Sequence, residues 1–237
     1  MTYIQGFVVA VPEANKERYK KHASDAFPLF KEFGVTRMVE SWEDDVRDGK
    51  VTDLRRAVKA EPGEKIVFSW FEFPSADVAE SASKKMMEDP RMEQFGGEMP
   101  FDGKRMIFGG FEVIADTGSA DGMGYISGTV IPVPTARKDD YAASAKQMGA
   151  LFCEHGAGRA VDGWAHHVPE GQVTDFQRAV ALEDNETVVF GWVEWPSKAA
   201  SGKGWEKIMQ DERMGGDMPF DAGRMIFGSF TPLLYLS

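Results

Sequence analysis

The chain has 237 residues, a formal net charge of −11, 43% hydrophobic residues and 27% charged residues. Those proportions are ordinary for a folded globular protein and exclude a disordered chain. The acidic excess opposes binding to nucleic acid or to an anionic membrane surface, because both require clustered lysine and arginine. No stretch has the apolar length that spans a bilayer, and the first residues lack a signal-sequence pattern, so we expect a cytoplasmic location.

The first half of the chain alternates between strand and helix patterns. In chain order these predict a strand at 3–11, a helix at 13–33, a strand at 36–46, a short return strand at 54–59, a strand at 65–73, a helix at 75–88 and a strand at 105–114. With the short return strand left aside, the main elements follow the order β-α-β-β-α-β, which is typical of a ferredoxin-like fold, an α+β arrangement with an antiparallel sheet and both helices on one face.

The second half repeats the first closely enough to be a second copy of the same domain. The segment that begins at Tyr3 matches the segment that begins at Tyr125, and about half of the aligned positions are identical. The period is far longer than that of a solenoid repeat. We therefore predict two ferredoxin-like domains, residues 1–114 and 123–237, joined by a linker at 115–122 that is rich in Gly, Ser and Asp.

Apolar residues occupy both faces of the predicted strands. In the first strand Phe7 and Val9 lie on one face, and Ile4 and Val8 lie on the other. Two helices can cover one face of each sheet, so the remaining face needs a second apolar sheet. We expect the two copies to pair within the chain, sheet facing sheet, as a pseudo-dimer. Pairing of whole chains through outer sheet edges into a further homo-oligomer remains open.

Several strings of the first copy carry a family resemblance. They are YIQGFVV, GKVTDLRRAVKA, VFSWFEFPS, DPRM and MPFDGKRMIFGGF. The chain resembles the YbaA-like family, domain of unknown function 1428, in the dimeric α/β-barrel superfamily. The resemblance implies a ferredoxin-like fold that pairs as a dimer, and an unassigned biochemical role. The second copy departs from the first where Asp44 and Asp45 become His166 and His167.

Strand parity predicts one candidate ligand pocket, between the two sheets. Trp70 and Glu72 share a strand face, and the small Ser69 on the opposite face suits close contact with a helix. If the faces that carry Trp42 and Arg56 converge there, the pocket has tryptophan and arginine walls, which are typical of sites for planar or anionic organic molecules. The predicted pocket residues are Trp42, Arg56, Trp70, Glu72, Trp164, Arg178, Trp192 and Glu194, with Glu40 and Asp162 beside them.

Two interpretations of this pocket remain open. Glu72 is either a general base or one half of a structural ion pair with Arg56, and each buried charge needs a partner in both cases. The chain accordingly binds a small organic molecule, with or without an enzymatic reaction, or it is a non-catalytic structural or interaction protein with a fully packed barrel. The Met-Pro-Phe-Asp segment at 99–102 is either a lid or an anchor for the last strand.

The sequence predicts no metal site and no other cofactor. Cys153 is the single cysteine, which excludes an intrachain disulfide and a thiolate cluster. His22 and His155 are far apart in the sequence. His166 and His167 are adjacent on a predicted strand, so they face opposite ways and do not bind one ion from the same side.

Overall fold

A computed structural model defines the fold and describes residues 2–215 and 218–237. The strands are β1 (Tyr3–Pro12), β2 (Arg37–Asp45), β3 (Glu64–Phe73), β4 (Ile107–Gly118), β5 (Tyr125–Pro134), β6 (Arg159–His167), β7 (Glu186–Trp195) and β8 (Ile226–Leu236). The α-helices are α1 (Lys16–Phe33), α2 (Leu54–Ala57), α3 (Ala76–Glu88), α4 (Lys138–Glu154), α5 (Phe176–Ala179) and α6 (Lys198–Ile208). None of the helices in this described part is long and apolar enough to cross a membrane.

The eight strands form one closed antiparallel barrel in the order β1-β3-β2-β8-β5-β7-β6-β4. Each half of the chain contributes four strands, and the halves join edge to edge at two seams, β2 with β8 and β4 with β6. The sequence predicted two separate sheets that face each other, whereas the structure has one sheet closed into a barrel. Both seams contain register shifts, which increase local bending and help a sheet to close.

Stacked aromatic rings from both halves fill the middle of the barrel. The rings of Phe68 and Phe190 stack at 4.5 Å between centroids. A glycine on a strand of the opposite half makes room for each ring, because a Cβ atom at Gly6 would lie 2.9 Å from Phe190 and one at Gly128 would lie 2.9 Å from Phe68. Each half thus leaves a gap that a phenylalanine of the other half occupies.

One sequence prediction about local structure is wrong, and part of a stretch predicted as linker has regular structure. The predicted return strand at 54–59 is the short helix α2, since the side chain of Asp53 accepts hydrogen bonds from the backbone N–H groups of Arg56 (2.8 Å) and Gly49 (3.2 Å) and caps the helix. The predicted linker at 115–122 is partly strand, because β4 continues to Gly118 along its seam with β6.

The Val-Thr-Asp strings that begin at Val51 and Val173 also tie the halves together. The hydroxyl of Thr52 donates to the carbonyl of Ala179 at 2.6 Å, and the hydroxyl of Thr174 donates to the carbonyl of Ala57 at 2.5 Å. These reciprocal bonds hold α2 and α5 against each other.

Candidate functional site

Four charged side chains meet inside the barrel. Arg37 begins β2 opposite Glu72 of β3, and Arg159 begins β6 opposite Glu194 of β7. The paired contacts cross between the halves: Arg37 donates two bonds of 2.7 Å to Glu194, and Arg159 donates bonds of 2.8 and 3.2 Å to Glu72. Arg37 also donates to Glu72 at 2.7 Å. Two-bond arginine–carboxylate pairs of this kind are strong and fix the orientation of both partners.

Two tryptophans complete this central charge cluster. The rings of Trp70 and Trp192 stack on each other at 4.2 Å between centroids. The indole nitrogen of Trp70 donates to Glu72 at 3.2 Å, and that of Trp192 donates to Glu194 at 2.8 Å. Burial alone would raise the pKa of Glu72, but the hydrogen bonds and charges of Arg159 and Arg37 outweigh it and hold that pKa below its usual range.

The central charge cluster is not symmetric. Asp116 accepts from the Nε of Arg159 at 2.9 Å and from its terminal nitrogen at 2.8 Å. The equivalent residue in the second half is Tyr235, whose ring centroid lies 4.8 Å from the guanidinium carbon of Arg37. The Nε of Arg37 is buried and has no hydrogen-bond partner among the described residues. The second half has Tyr235 where the first half has Asp116. Arg37 therefore lacks the carboxylate that accepts from the Nε of Arg159, and its own Nε stays without a partner.

The structure brings together four of the eight predicted pocket residues. These are Trp70, Glu72, Trp192 and Glu194, and their own rings and ion pairs occupy the space between the sheets. The predicted partner of Glu72 was Arg56, whereas the observed partners are Arg37 and Arg159.

The other four predicted pocket residues lie elsewhere. Arg56 and Arg178 are on α2 and α5, with side chains about half exposed, and each pairs with the aspartate that caps its own helix. Trp42 and Trp164 are buried on the opposite face of the sheet, beneath α1 and α4, where they pack near Tyr19 and Tyr141. Glu40 and Asp162 share that helix-facing side with them.

Sequence reasoning missed Arg37 and Arg159. Along β2, Arg37 and Val39 point to the same face of the strand, and Val39 belongs to the barrel core. Glu40 and Trp42 point to the other face, which is covered by a helix. An arginine at the first position of a strand whose interior face is otherwise apolar was the available signal.

A second polar constellation lies between α1 and the sheet of the first half. The hydroxyl of Tyr19 donates to Oε2 of Glu40 at 2.6 Å, and both side chains are buried. Burial raises the pKa of Glu40 to about 7 although hydrogen bonds from Tyr19 and Ser69 act in the opposite direction. Burial and the neighbouring Glu40 also raise the pKa of Tyr19 well above its usual value.

The second half repeats this constellation with a shorter acid. The hydroxyl of Tyr141 donates to Oδ1 of Asp162 at 2.9 Å, and burial raises the pKa of Asp162 to about 6. Gly191 stands where the first half has Ser69. Asp162 therefore lacks an equivalent of the hydrogen bond that the Ser69 hydroxyl makes with Glu40. We call the two constellations the helix–sheet sites.

A lysine and a phenylalanine border each helix–sheet site. The ammonium group of Lys16 lies 5.2 Å from the ring centroid of Trp42, and that of Lys138 lies 5.4 Å from Trp164. In the first half the ring of Phe101 packs on Tyr19 at 5.7 Å. The Met-Pro-Phe-Asp segment thus covers the site, and in the second half Phe220 packs on Tyr141 at 5.9 Å.

The histidines form no cluster. His166 contacts the hydroxyl of Tyr3, and His155 lies 3.3 Å from Asp211. Among residues 2–215 and 218–237 no group of three or more His, Cys, Asp or Glu side chains is arranged to hold a metal ion.

Comparison with known proteins connects the chain to a family without an assigned role. The family described as "Protein of unknown function (DUF1428)" matches residues 2–103 and again residues 124–222. The uncharacterized protein YbaA of Escherichia coli K12 is 62% identical over 116 residues, which are 49% of this chain and 99% of YbaA.

Solved structures with the same architecture are much more distant in sequence. A monooxygenase candidate from Fusobacterium nucleatum has a TM-score of 0.63 at 12% identity. The match covers 99% of this chain and 93% of the other chain. A second monooxygenase candidate, from Lactobacillus acidophilus, has a TM-score of 0.59 at 10% identity. The match covers 100% of this chain and 96% of the other chain. At this identity the likeness shows only the fold, an α+β arrangement with a closed antiparallel barrel, and it shows no activity.

Proposed function

The chain belongs to the DUF1428 family, whose description assigns no activity, and we propose that it binds small planar organic molecules with an acidic hydroxyl group and exchanges their proton with a buried carboxyl group. The proposed places are the helix–sheet sites, one in each half. The space between Trp70 and Trp192 is not proposed, because the two rings are stacked directly on each other. The monooxygenase candidates support the fold alone, so no reaction is taken from them.

One observation carries the proposal: Glu40 is a buried carboxyl group with a pKa of about 7 and no ion-pair partner among the described residues. A buried carboxylate without a cation is costly, and in this chain the costly arrangement occurs twice, at Glu40 and at Asp162. A carboxyl group whose pKa lies close to neutral pH accepts and returns protons efficiently.

The neighbouring groups fit an anion that forms beside Glu40. When the ligand hydroxyl gives its proton to the carboxylate of Glu40, the ligand oxygen becomes negative and the carboxyl group becomes neutral. The Tyr19 hydroxyl, which now donates to Glu40, is then free to donate to the ligand oxygen. Lys16 supplies a positive charge at the Trp42 end of the site, and the indole ring offers a flat apolar wall.

Entry of a ligand requires movement of the segment that carries Phe101. That segment is held from outside by the side chain of Asn15, which donates to the carbonyl of Pro100 at 2.8 Å, and by Arg18, which donates to the carbonyl of Glu98 at 2.6 Å. Both bonds are on the surface or half-buried, where a single hydrogen bond contributes about 1 kcal/mol. Their loss is a small barrier to opening.

A second candidate function, a structural or interaction protein, is favoured by the filled barrel. Stacked rings and ion pairs formed within the chain occupy the middle of the barrel. In that alternative the Tyr19–Glu40 bond serves packing alone. Under both alternatives we propose that residues 1–114 and 123–237 act as one unit, so that scattering in dilute solution gives a compact monomer.

The test uses 4-nitrophenol and 1-naphthol as probes on protein labelled with 5-fluorotryptophan. The six tryptophans give separate fluorine resonances, assigned by substitution. The proposal predicts that the probes shift the resonances of Trp42 and Trp164 and leave those of Trp70 and Trp192 in place. The absorbance of bound 4-nitrophenol should report transfer of its proton.

Matched variants separate the two alternatives. Glu40→Gln should abolish the shift at Trp42 and keep the shift at Trp164, whereas the control Glu32→Gln, in an exposed pair with Arg91, should change neither. Absence of any tryptophan shift by either probe would leave the structural alternative. Shifts at Trp70 first would place binding inside the barrel and contradict the proposed sites.

A further inference from the structure

One buried donor of the central charge cluster has no acceptor. Arg37 is 6% exposed, and its Nε is the one buried side-chain nitrogen or oxygen without a hydrogen-bond partner in the part of the chain that the structure describes. Leaving a buried N–H group without an acceptor is costly, so such groups are rare in folded proteins. The Nε of Arg37 therefore points to an acceptor that comes from outside these residues.

Arg159, the equivalent of Arg37 in the repeat, shows which acceptor fits this place. The Nε of Arg159 donates to Oδ1 of Asp116 at 2.9 Å, and one of its terminal nitrogens donates to Oδ2 at 2.8 Å. One carboxylate thus takes both hydrogens on this edge of the guanidinium group. Such two-bond pairing is a strong arrangement between arginine and a carboxylate.

The ion pairs and tryptophan rings around the two arginines otherwise match. Arg37 donates twice to Glu194, and Arg159 donates twice to Glu72. The remaining glutamate lies 2.7 Å from Arg37 and 3.8 Å from Arg159. Each guanidinium carbon also lies near the tryptophan ring of its own half, at 5.7 Å for Arg37 and 6.0 Å for Arg159.

The two seams place Asp116 and Tyr235 at the same position relative to these arginines. Asp116 lies opposite Val161 where β4 pairs with β6, and Tyr235 lies opposite Val39 where β2 pairs with β8. Val39 and Val161 are equivalent positions of the repeat. The side chain of Tyr235 therefore starts from the place that Asp116 has at the other seam, and one carboxylate is lost.

Weaker and more exposed groups cover this edge of Arg37. Its terminal nitrogen contacts the sulfur of Met123 at 3.8 Å, and a thioether is a weak acceptor. Met123 is partly buried, and its unbranched side chain adapts easily. Tyr235, which lies against the guanidinium group, is 47% exposed. The side chain of Asp116 is itself 34% exposed, so solvent reaches the equivalent depth at the other seam.

We propose that the Arg37 edge, which consists of Nε and the terminal nitrogen beside Met123, binds the carboxylate of a small organic acid. The two carboxylate oxygens accept from these two nitrogens, as Asp116 does at Arg159, and the organic part lies between Met123 and the ring of Tyr235. A neutral carbonyl oxygen satisfies Nε alone and leaves the other hydrogen on the sulfur, so a carboxylate fits the edge better. This place is separate from the helix–sheet sites.

The test uses sodium acetate and acetamide as probes on protein labelled with nitrogen-15 arginine, at constant pH and ionic strength. Acetate should move the Nε–H resonance of Arg37 and leave that of Arg159 in place, because Asp116 already occupies the latter. Carboxylates already outnumber arginines in the cluster, so we expect binding in the millimolar range, with acetamide about tenfold weaker or more.

Two variants of the whole chain copy the first half into the second. Tyr235→Asp supplies the carboxylate that Asp116 provides at Arg159, so it should lower the affinity for acetate by about tenfold or more. The control Thr231→Glu adds the same charge at an exposed position of β8 where the first half has Glu112, and it should leave binding unchanged. An unchanged Arg159 resonance checks that each variant is folded.

Three results would overturn the proposal. A stationary Arg37 resonance in acetate would mean that water alone satisfies Nε. Equal binding of acetamide and acetate would contradict a carboxylate site. An undiminished response to acetate in Tyr235→Asp would place the bound anion elsewhere.

Discussion

Replacing Glu194 by glutamine should destabilise the barrel strongly, because Glu194 is the most buried member of the central charge cluster. Its carboxylate accepts two bonds from Arg37 and one from Trp192, at 2.7, 2.7 and 2.8 Å. In the glutamine variant an amide N–H group replaces one carboxylate oxygen and faces an N–H group of Arg37 or Trp192. The variant also removes the negative charge that pairs with Arg37. Removing one partner of a buried ion pair costs about 3–5 kcal/mol. Urea denaturation followed by circular dichroism measures the loss.

The matched control is Glu32→Gln, whose ion pair with Arg91 is exposed. It should cost less than about 1 kcal/mol. The double variant Arg37→Met with Glu194→Gln should lose about 2 kcal/mol less than the sum of the single variants, since neither charge is left without its partner. A cost for Glu194→Gln that equals the control would refute the view that the cross-half ion pairs hold the barrel closed.

Three further outcomes follow from the described contacts. Gly6→Ala should cost about 1–3 kcal/mol in thermal unfolding, because the new methyl group meets the ring of Phe190 at 2.9 Å; an unchanged melting temperature would contradict the close packing. Arg56→Ala should cost less than about 1 kcal/mol, because its pair with Asp53 is half exposed, and a loss as large as that of Glu194→Gln would restore the sequence prediction of a buried Arg56. The raised pKa of Glu40 means that the folded chain binds its proton more tightly than the unfolded chain, so this contribution to stability is present at acidic pH and declines between pH 4.5 and about 7. Relative to Glu40→Gln, the wild-type chain should therefore lose about 3 kcal/mol of unfolding free energy across that range, and parallel pH curves for the two proteins would contradict the shift.

The repeat and the four main strands of the first half could be predicted from the sequence, because the alternation of β-branched and aromatic residues and the two matching halves are explicit in the residues. The parity of β3 placed Trp70 and Glu72 inside the barrel. The same argument failed on β2, where both faces of the strand are buried, so that the apolar pattern does not distinguish the side of Val39 from the side of Trp42.

The position of Arg56 could not be decided by alternation alone. Leu54 and Val58 flank it at a spacing that fits a strand, but Leu54, Ala57 and Val58 also fit one helical turn. The capping Asp53 selects the helix. Edge-to-edge closure was not predictable either, since the register of β2 on β8 depends on bulges that leave no simple mark in the sequence.

The most direct test of the proposed site is a carbon-13 NMR titration of the side-chain carboxyl groups in protein labelled at glutamate. We predict one resonance with a midpoint of about 7, absent from Glu40→Gln and retained in Glu32→Gln. Saturation with 4-nitrophenol should move that midpoint. If every glutamate carboxyl group titrates in its ordinary acidic range, Glu40 is no proton acceptor at neutral pH and the proposed function is wrong.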